Sequence, residues 1–190
     1  CLPSLSLDTA GEAAERALEA SGTHPQLRAR SLRTLGVVRM WQGRGDDAAD
    51  LHEQALALAR WKGLSSRAAL ALQDLGDALR VAGRYPAAQE RYASSIQAAE
   101  ALDLGSTVYL VRFKQLMCEI ALSQDSDMVA RLQALSEPAT AAGLALARPF
   151  SYLLIAWFCA RKGQTEEARM ALGRASLLEG RSPLQTGAEP

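Results

Sequence analysis

Three glycines, Gly43, Gly83 and Gly163, fall on a forty-residue beat, and other positions keep the same time. With the chain set in rows of forty, Ala48, Ala88 and Ala168 share a column, and Gly36, Gly76 and Ala156 share another. His52, Tyr92, Leu132 and Leu172 align, as do Ala55, Ser95, Leu135 and Ala175. Leu35, Leu75 and Ile155 form one more column. A period of this length, held in several columns at once, marks a supersecondary unit stacked on copies of itself. Few folds satisfy that constraint. The third row departs from it, with Ser123, Met128, Leu116 and Gln115 in the key columns and Pro138 within a helical run.

The unit reads as a helical hairpin. Hydrophobic residues make up 48% of the 190 and aromatics only 5%, and Ala and Leu, both strong helix formers, supply much of the apolar content. Pro25 opens a helix that runs to about Gln42, and Gly43-Arg44-Gly45 breaks it. Asp46 and Asp47 cap the next, Ala48 to Lys62. Ser65 and Ser66 cap a helix to Ala82, and Pro86 opens another to Leu102. Further helices are expected over 106–122, then after a turn and cap at Asp125-Ser126-Asp127 with Pro138 ending or kinking the helix, over 149–162, and from Thr165 to Glu179. A shorter helix over 9–20, capped by Thr9 or Asp8, precedes them. This gives an irregular segment over 1–8, one helical domain over 9–179 and a flexible tail over 180–190.

Each column has a physical role. Gly or Ala in the first helix, and Ala early in the second, let two backbones approach where the helices cross. The turn glycine permits a positive φ after the first helix. The larger residue of the His52, Tyr92, Leu132, Leu172 column is expected to fill the gap beside the next hairpin. No hairpin buries its apolar faces alone, so the copies must stack.

The run Leu75-Gly76, Gly83-Arg84-Tyr85, Ala88, Tyr92 and Ser95 resembles the tetratricopeptide repeat. Leu35-Gly36, Gly43, Ala48 and Ala55 match that pattern in the first copy, and Gly163, Ala168 and Ala175 in the last. The forty-residue period is similar to the longer-helix variety of bacterial signalling and regulatory proteins. The resemblance covers residues 25–179. It implies an all-α, right-handed superhelix (an α-solenoid) of antiparallel helix pairs, four pairs plus one N-terminal helix. It also implies that the first helix of each pair lines a concave face. On the forty-residue register that face carries Arg33, Val37 and Met40, then Gln73, Asp77 and Arg80, then Phe113, Met117 and Ile120, then Leu153, Trp157 and Ala160. Arg30 and Trp41 flank the first stripe and Arg161 the last. A protein or peptide partner with acidic residues followed by an apolar anchor suits such a face, since Arg forks onto carboxylates and Trp offers a large anchoring area. The bland alternative is that Phe113, Met117 and Trp157 are core and that Arg30, Arg33 and Arg80 are a solvated face. The chain has no Asn, which argues against the subclass of the family that grips chaperone C-termini with Asn.

Several classes of chemistry find no support. Lys plus Arg and Asp plus Glu both total 21, so no basic excess points to nucleic acid. The two histidines, His24 and His52, lack a partner at metal-ligand spacing, and no Gly-rich phosphate loop is present. Glu166-Glu167 and Asp46-Asp47 sit at helix starts, where the macrodipole accounts for them. Cys118 and Cys159 lie in apolar helical runs and read as buried free thiols. No signal peptide or spanning segment is evident, and Cys1 as first residue reads as a fragment or processed form, with lipidation of Cys1 the weaker alternative. The expectation is a cytoplasmic interaction scaffold from a larger bacterial regulatory protein, without catalysis, metal or cofactor. A second reading is a sensory domain that binds an effector beside a kinase or transcriptional activator, with a pocket near Phe113, Met117 and Trp157. The apolar C-terminal stripe also offers a surface for homo-oligomerisation.

Overall fold

The computed structural model describes residues 6–122 and 127–179, and every described residue lies in a helix, a turn or a short connection. The helices are α1 (Leu7–Ala20), α2 (Pro25–Trp41), α3 (Gly45–Trp61), α4 (Ser65–Val81), α5 (Tyr85–Glu100), α6 (Gly105–Leu122), α7 (Met128–Ala141), α8 (Ala147–Arg161) and α9 (Thr165–Glu179). The chain is an all-α solenoid in which, within each of two compact units, sequence neighbours pack as antiparallel pairs. Contacts group the helices into two compact units, Cys1–Leu104 and Gly105–Pro190.

The turns share one chemistry. Positive φ occurs at Gly22 and then at Gly43, Gly63, Gly83, Asp103, Gly143 and Gly163, so from Gly43 to Asp103 the beat at the turns is twenty residues rather than forty. At Gly83 the N–H donates to Arg80 O at 3.0 Å, and the N–H of Arg84 reaches back to Leu79 O at 2.8 Å. This Schellman pair satisfies carbonyls that the ending helix would otherwise leave open, and it requires a left-handed residue between the helix and the next N-cap. Asp103 (φ 54°) is the one described non-glycine in that conformation. Its N–H donates to Glu100 O and that of Leu104 to Ala99 O, in the same pattern. Sequence reading finds the column Gly43, Gly83, Gly163 and misses the interleaved one, because Asp103 breaks it.

The crossing points explain the small residues. A Cβ added to Gly36 would stand 2.6 Å from Cε1 and Nε2 of His52, and one on Gly76 would stand 2.5 Å from the Tyr92 ring. The His52 and Tyr92 column therefore seals the crossing inside its own hairpin, rather than filling a gap beside the next one. His52, Tyr92 and Leu132 are fully buried, whereas Leu172 at the same column of α9 is 50% exposed. Gly45 is not part of a break. It is the first residue of α3, and a Cβ there would meet the backbone of Ala82 and Ala78 at 2.5–2.9 Å.

In the first unit Leu32, Leu35, Leu56, Leu72, Leu75 and Leu79 fill the spaces between α2, α3 and α4. In the second, Phe113, Ile120, Met128, Leu132, Ile155 and Phe158 form a common core with Ala139 and Ala168. Cys118 and Cys159 are buried free thiols, and burial pushes the Cys159 thiol up. Four helix starts differ from expectation. Ser6, not Thr9 or Asp8, caps α1, its hydroxyl accepting from the Thr9 N–H. Neither the acids of α3 nor the serines of α4 make side-chain caps, because the preceding turn sets Arg44 and Leu64 as N-caps. α8 begins at Ala147, two residues before Pro149. α7 continues through Pro138 to Ala141, since only its last turn lies beyond and Ala139 is fully buried there. Residues 123–126, which hold most of the expected α7 cap, and the tail 180–190 lie outside the described residues.

Candidate functional site

The face expected to be concave is built differently from the stripe read in the sequence. Arg33 on α2 does not project into free space. Its Nε donates to Oδ2 of Asp74 on α4, whose side chain is only 6% exposed. Phe113, forty residues after Gln73, is fully buried, with its ring edge-on to Phe150 of α8 at 5.6 Å. Gln73 is also buried. The column 33, 73, 113 thus lies where one first helix meets another, as the Arg33–Asp74 and Phe113–Phe150 contacts show. Gln73 and Phe113 are therefore core positions and not part of an open face.

The other expected residues are scattered. Asp77 accepts a 2.7 Å hydrogen bond from the Tyr92 hydroxyl, and Arg80 lies 3.9 Å from it. Burial, with Asp77 adding to it, pushes the Tyr92 phenol up, so the hydroxyl stays a donor. Val37, Met40 and Met117 are half-buried, and Met117 packs on the core of the second unit. Trp41 is 73% exposed and borders an open depression of about 740 Å³ with Leu7, Glu12 and Arg39. In the second unit Trp157 is partly exposed, with the Arg161 guanidinium 6.0 Å from its ring centre. Arg161 also donates to the Ala121 carbonyl at 3.3 Å.

One concavity does gather chemistry. A pocket of about 300 Å³ in the first unit is framed by Arg30, Arg33 and Arg67, with Ala29, Ala55, Ala59, Leu70 and Ala71 as its apolar wall. The alanines create it. At each of these places a larger side chain would fill the space between α2, α3 and α4. The Arg33 guanidinium is held by Asp74 and Arg67 by the Gln26 carbonyl at 3.3 Å. Arg30 is exposed, and among the described residues no carboxylate pairs with it. The result is a positively charged rim above a narrow apolar floor, suited to a carboxylate on a slim apolar stem. Arg30 and Arg33 were legible in the sequence; Arg67 and Asp74 were not. The signal for Asp74 was an acid inside the buried run from Ala71 to Leu75.

His52 lies between α2 and α4, and neither ring nitrogen has a hydrogen-bond partner. Burial lowers its proton affinity; the Asp74 charge opposes that shift and Arg33 reinforces it. The unfolded chain therefore binds the proton more readily. The stability that neutral His52 confers is complete above its ordinary value near 6.5 and is lost as pH falls towards the lower folded value. The thermal midpoint is expected to be lower at pH 5.5 than at pH 7.5, with much of the difference absent in His52→Leu. An equal pH response in that variant would show that His52 does not carry the effect.

A tetratricopeptide repeat model matches residues 27–101, from α2 to just beyond α5. Residues 27–101 carry tetratricopeptide repeats. Three solved structures extend the fold likeness to nearly the whole chain. BtubC (BKLC) from P. vanneervenii shares 20% identity, with 96% of this chain and 74% of that one covered, at a TM-score of 0.63. A putative kinesin light chain from Podosopora anserina, with nearly identical TPR-like repeats, shares 18% identity over 93% of this chain and 89% of its own, at a TM-score of 0.66. A singly substituted form of those repeats gives a TM-score of 0.68 at 18% identity over 94% and 89%. At such identities the likeness is one of fold. No curated protein matches the chain. Tetratricopeptide repeats generally mediate protein–protein interaction. Among the described residues no helix is long and apolar enough to cross a membrane, and no cluster of His, Cys, Asp and Glu could hold a metal.

Proposed function

We propose that this tetratricopeptide repeat chain is a protein-interaction scaffold that captures an acidic side chain of an extended partner segment in the pocket framed by Arg30, Arg33 and Arg67. The observation that carries this is the pairing of an arginine rim, including an Arg30 with which no carboxylate of the described residues pairs, with an alanine floor. Binding needs no turnover. The forty-residue period supports a place within a larger bacterial regulatory protein acting in the cytoplasm. A small carboxylate effector is the second reading, favoured by the pocket's volume of about 300 Å³, with Trp157 and Arg161 then left for other contacts.

The test is an array of peptides that mix Glu with apolar residues, paired with Gln-for-Glu controls, followed by fluorescence anisotropy on the best binder. Arg30→Glu is expected to weaken that binding by about tenfold or more, equivalent to about 1.4 kcal/mol, with an unchanged melting temperature. Arg67→Glu is expected to act in the same direction. Equal recovery of Glu and Gln peptides, or full affinity in Arg30→Glu, would remove the pocket from the binding face. Displacement of the peptide by millimolar succinate would favour the effector reading.

A further inference from the structure

We propose that His52 is a proton-operated control on the arginine pocket, acting through Asp74 and Arg33. The proposal rests on the reading of that pocket as an anion site. His52 is completely buried, with its ring pressed on Gly36 and both nitrogens unbonded. The contrast with Tyr92, one repeat later, is informative. Tyr92 occupies the same column and spends its hydroxyl on Asp77 of the facing helix. Forty residues before Asp77 stands Val37, which cannot accept a hydrogen bond. The first hairpin thus keeps a polar ring at the crossing without the acceptor that its sister ring enjoys.

The charges that act on the ring come from Arg33 on α2 and from Asp74 and Asp77 on α4, with Asp74 the strongest among them; Arg33 lies one helical turn from Gly36, on which the ring is pressed. On α3 itself, Asp50 and Glu53 are exposed. Asp77 is already engaged by Tyr92. Asp74 is buried and bonded to Arg33. A proton on His52 creates a buried cation that must be met by a nearby carboxylate, since an unpaired charge there is costly. In this coupling Asp74, whose charge acts on the ring most strongly, turns to meet it and so loosens its hold on Arg33. The Arg33 side chain is 45% exposed and stands on the pocket rim, so the guanidinium becomes available to an incoming anion. Linkage makes the coupling reciprocal: an anion that takes Arg33 frees Asp74 for His52 and raises proton uptake. Mild acid therefore strengthens anion capture while it weakens the hairpin.

Two measurements test this. The first needs no ligand. The side-chain NMR titration of His52 is followed with exposed His24 as the internal control. Asp74→Asn is expected to move the His52 midpoint down, and Arg33→Gln to move it up, by about half a unit or more. Either variant alone suffices if the other fails to fold, and an unmoved midpoint in a folded variant overturns the coupling. The second uses the anisotropy peptide with cysteic acid in place of Glu, so that the probe's charge is constant with pH. Affinity is expected to rise severalfold from pH 7.5 to 5.5 in the wild type and to stay flat in His52→Leu. A flat wild-type response, or the same rise in His52→Leu, overturns the control. If no peptide binds at all, the pocket reading fails, while the NMR shifts still decide whether His52, Asp74 and Arg33 act together.

Discussion

Tyr92→Ala is expected to lower the free energy of unfolding by about 3–5 kcal/mol, the usual range for emptying a fully buried aromatic site. The ring is completely buried against Gly76, so truncation leaves a hole at a helix crossing where two backbones already touch and cannot close further. It also takes away the hydroxyl that donates to Asp77. Tyr92→Phe separates the two contributions. It keeps the packing and removes one hydrogen bond to a carboxylate, at a cost of about 1.5–3 kcal/mol. Urea unfolding followed by circular dichroism measures both. A loss below about 1 kcal/mol for Tyr92→Ala would mean that the hairpin crossing contributes little to cohesion.

Gly45→Ala is expected to be nearly as damaging, at about 2–3 kcal/mol, the upper part of the range for overpacking. The added methyl would meet main-chain atoms of Ala78 and Ala82, and no flexible side chain stands there to move aside. Either α3 or α4 must shift, and α4 carries Asp74, Asp77 and Leu70. Gly173→Ala is the matched control. It lies within α9 with nothing within 4 Å of the added Cβ. The same substitution there should stabilise by about 0.5–1 kcal/mol through helix propensity alone. Differential scanning fluorimetry of the two variants should show shifts of opposite sign. Two shifts of the same sign would contradict the close approach at Gly45.

The hairpins were readable because their determinants are local or strictly spaced. Gly83 ends a helix for reasons contained within six residues, and Gly36 and Gly76 announce a close crossing by having no side chain. The binding face was less readable because a helix's rotation about its own axis is set by its neighbours. A stripe beginning at Arg33 and one beginning at Arg30 differ by less than a turn of helix. Only the contact between α2 and α4 shows that position 33 faces Asp74 while position 30 stays open. Phe113 fell to the same ambiguity, since α8 supplies Phe150 to cover it. Asp74 and His52 sit in apolar surroundings, and their relation spans α2, α3 and α4 without any local motif.

The twenty-residue spacing of the turns from Gly43 to Asp103 has a consequence for how such a chain can change length. Because the turns at Gly43 and Gly83 close with the same pair of hydrogen bonds, the segment from Arg44 to Gly83 behaves as an interchangeable cassette. An in-frame duplication of those forty codons joins a left-handed glycine to an N-cap that already follows one, so the junction introduces no new backbone geometry. A duplication of thirty-nine or forty-one would instead leave the junction one residue short or long and break the pair of hydrogen bonds that closes its turn.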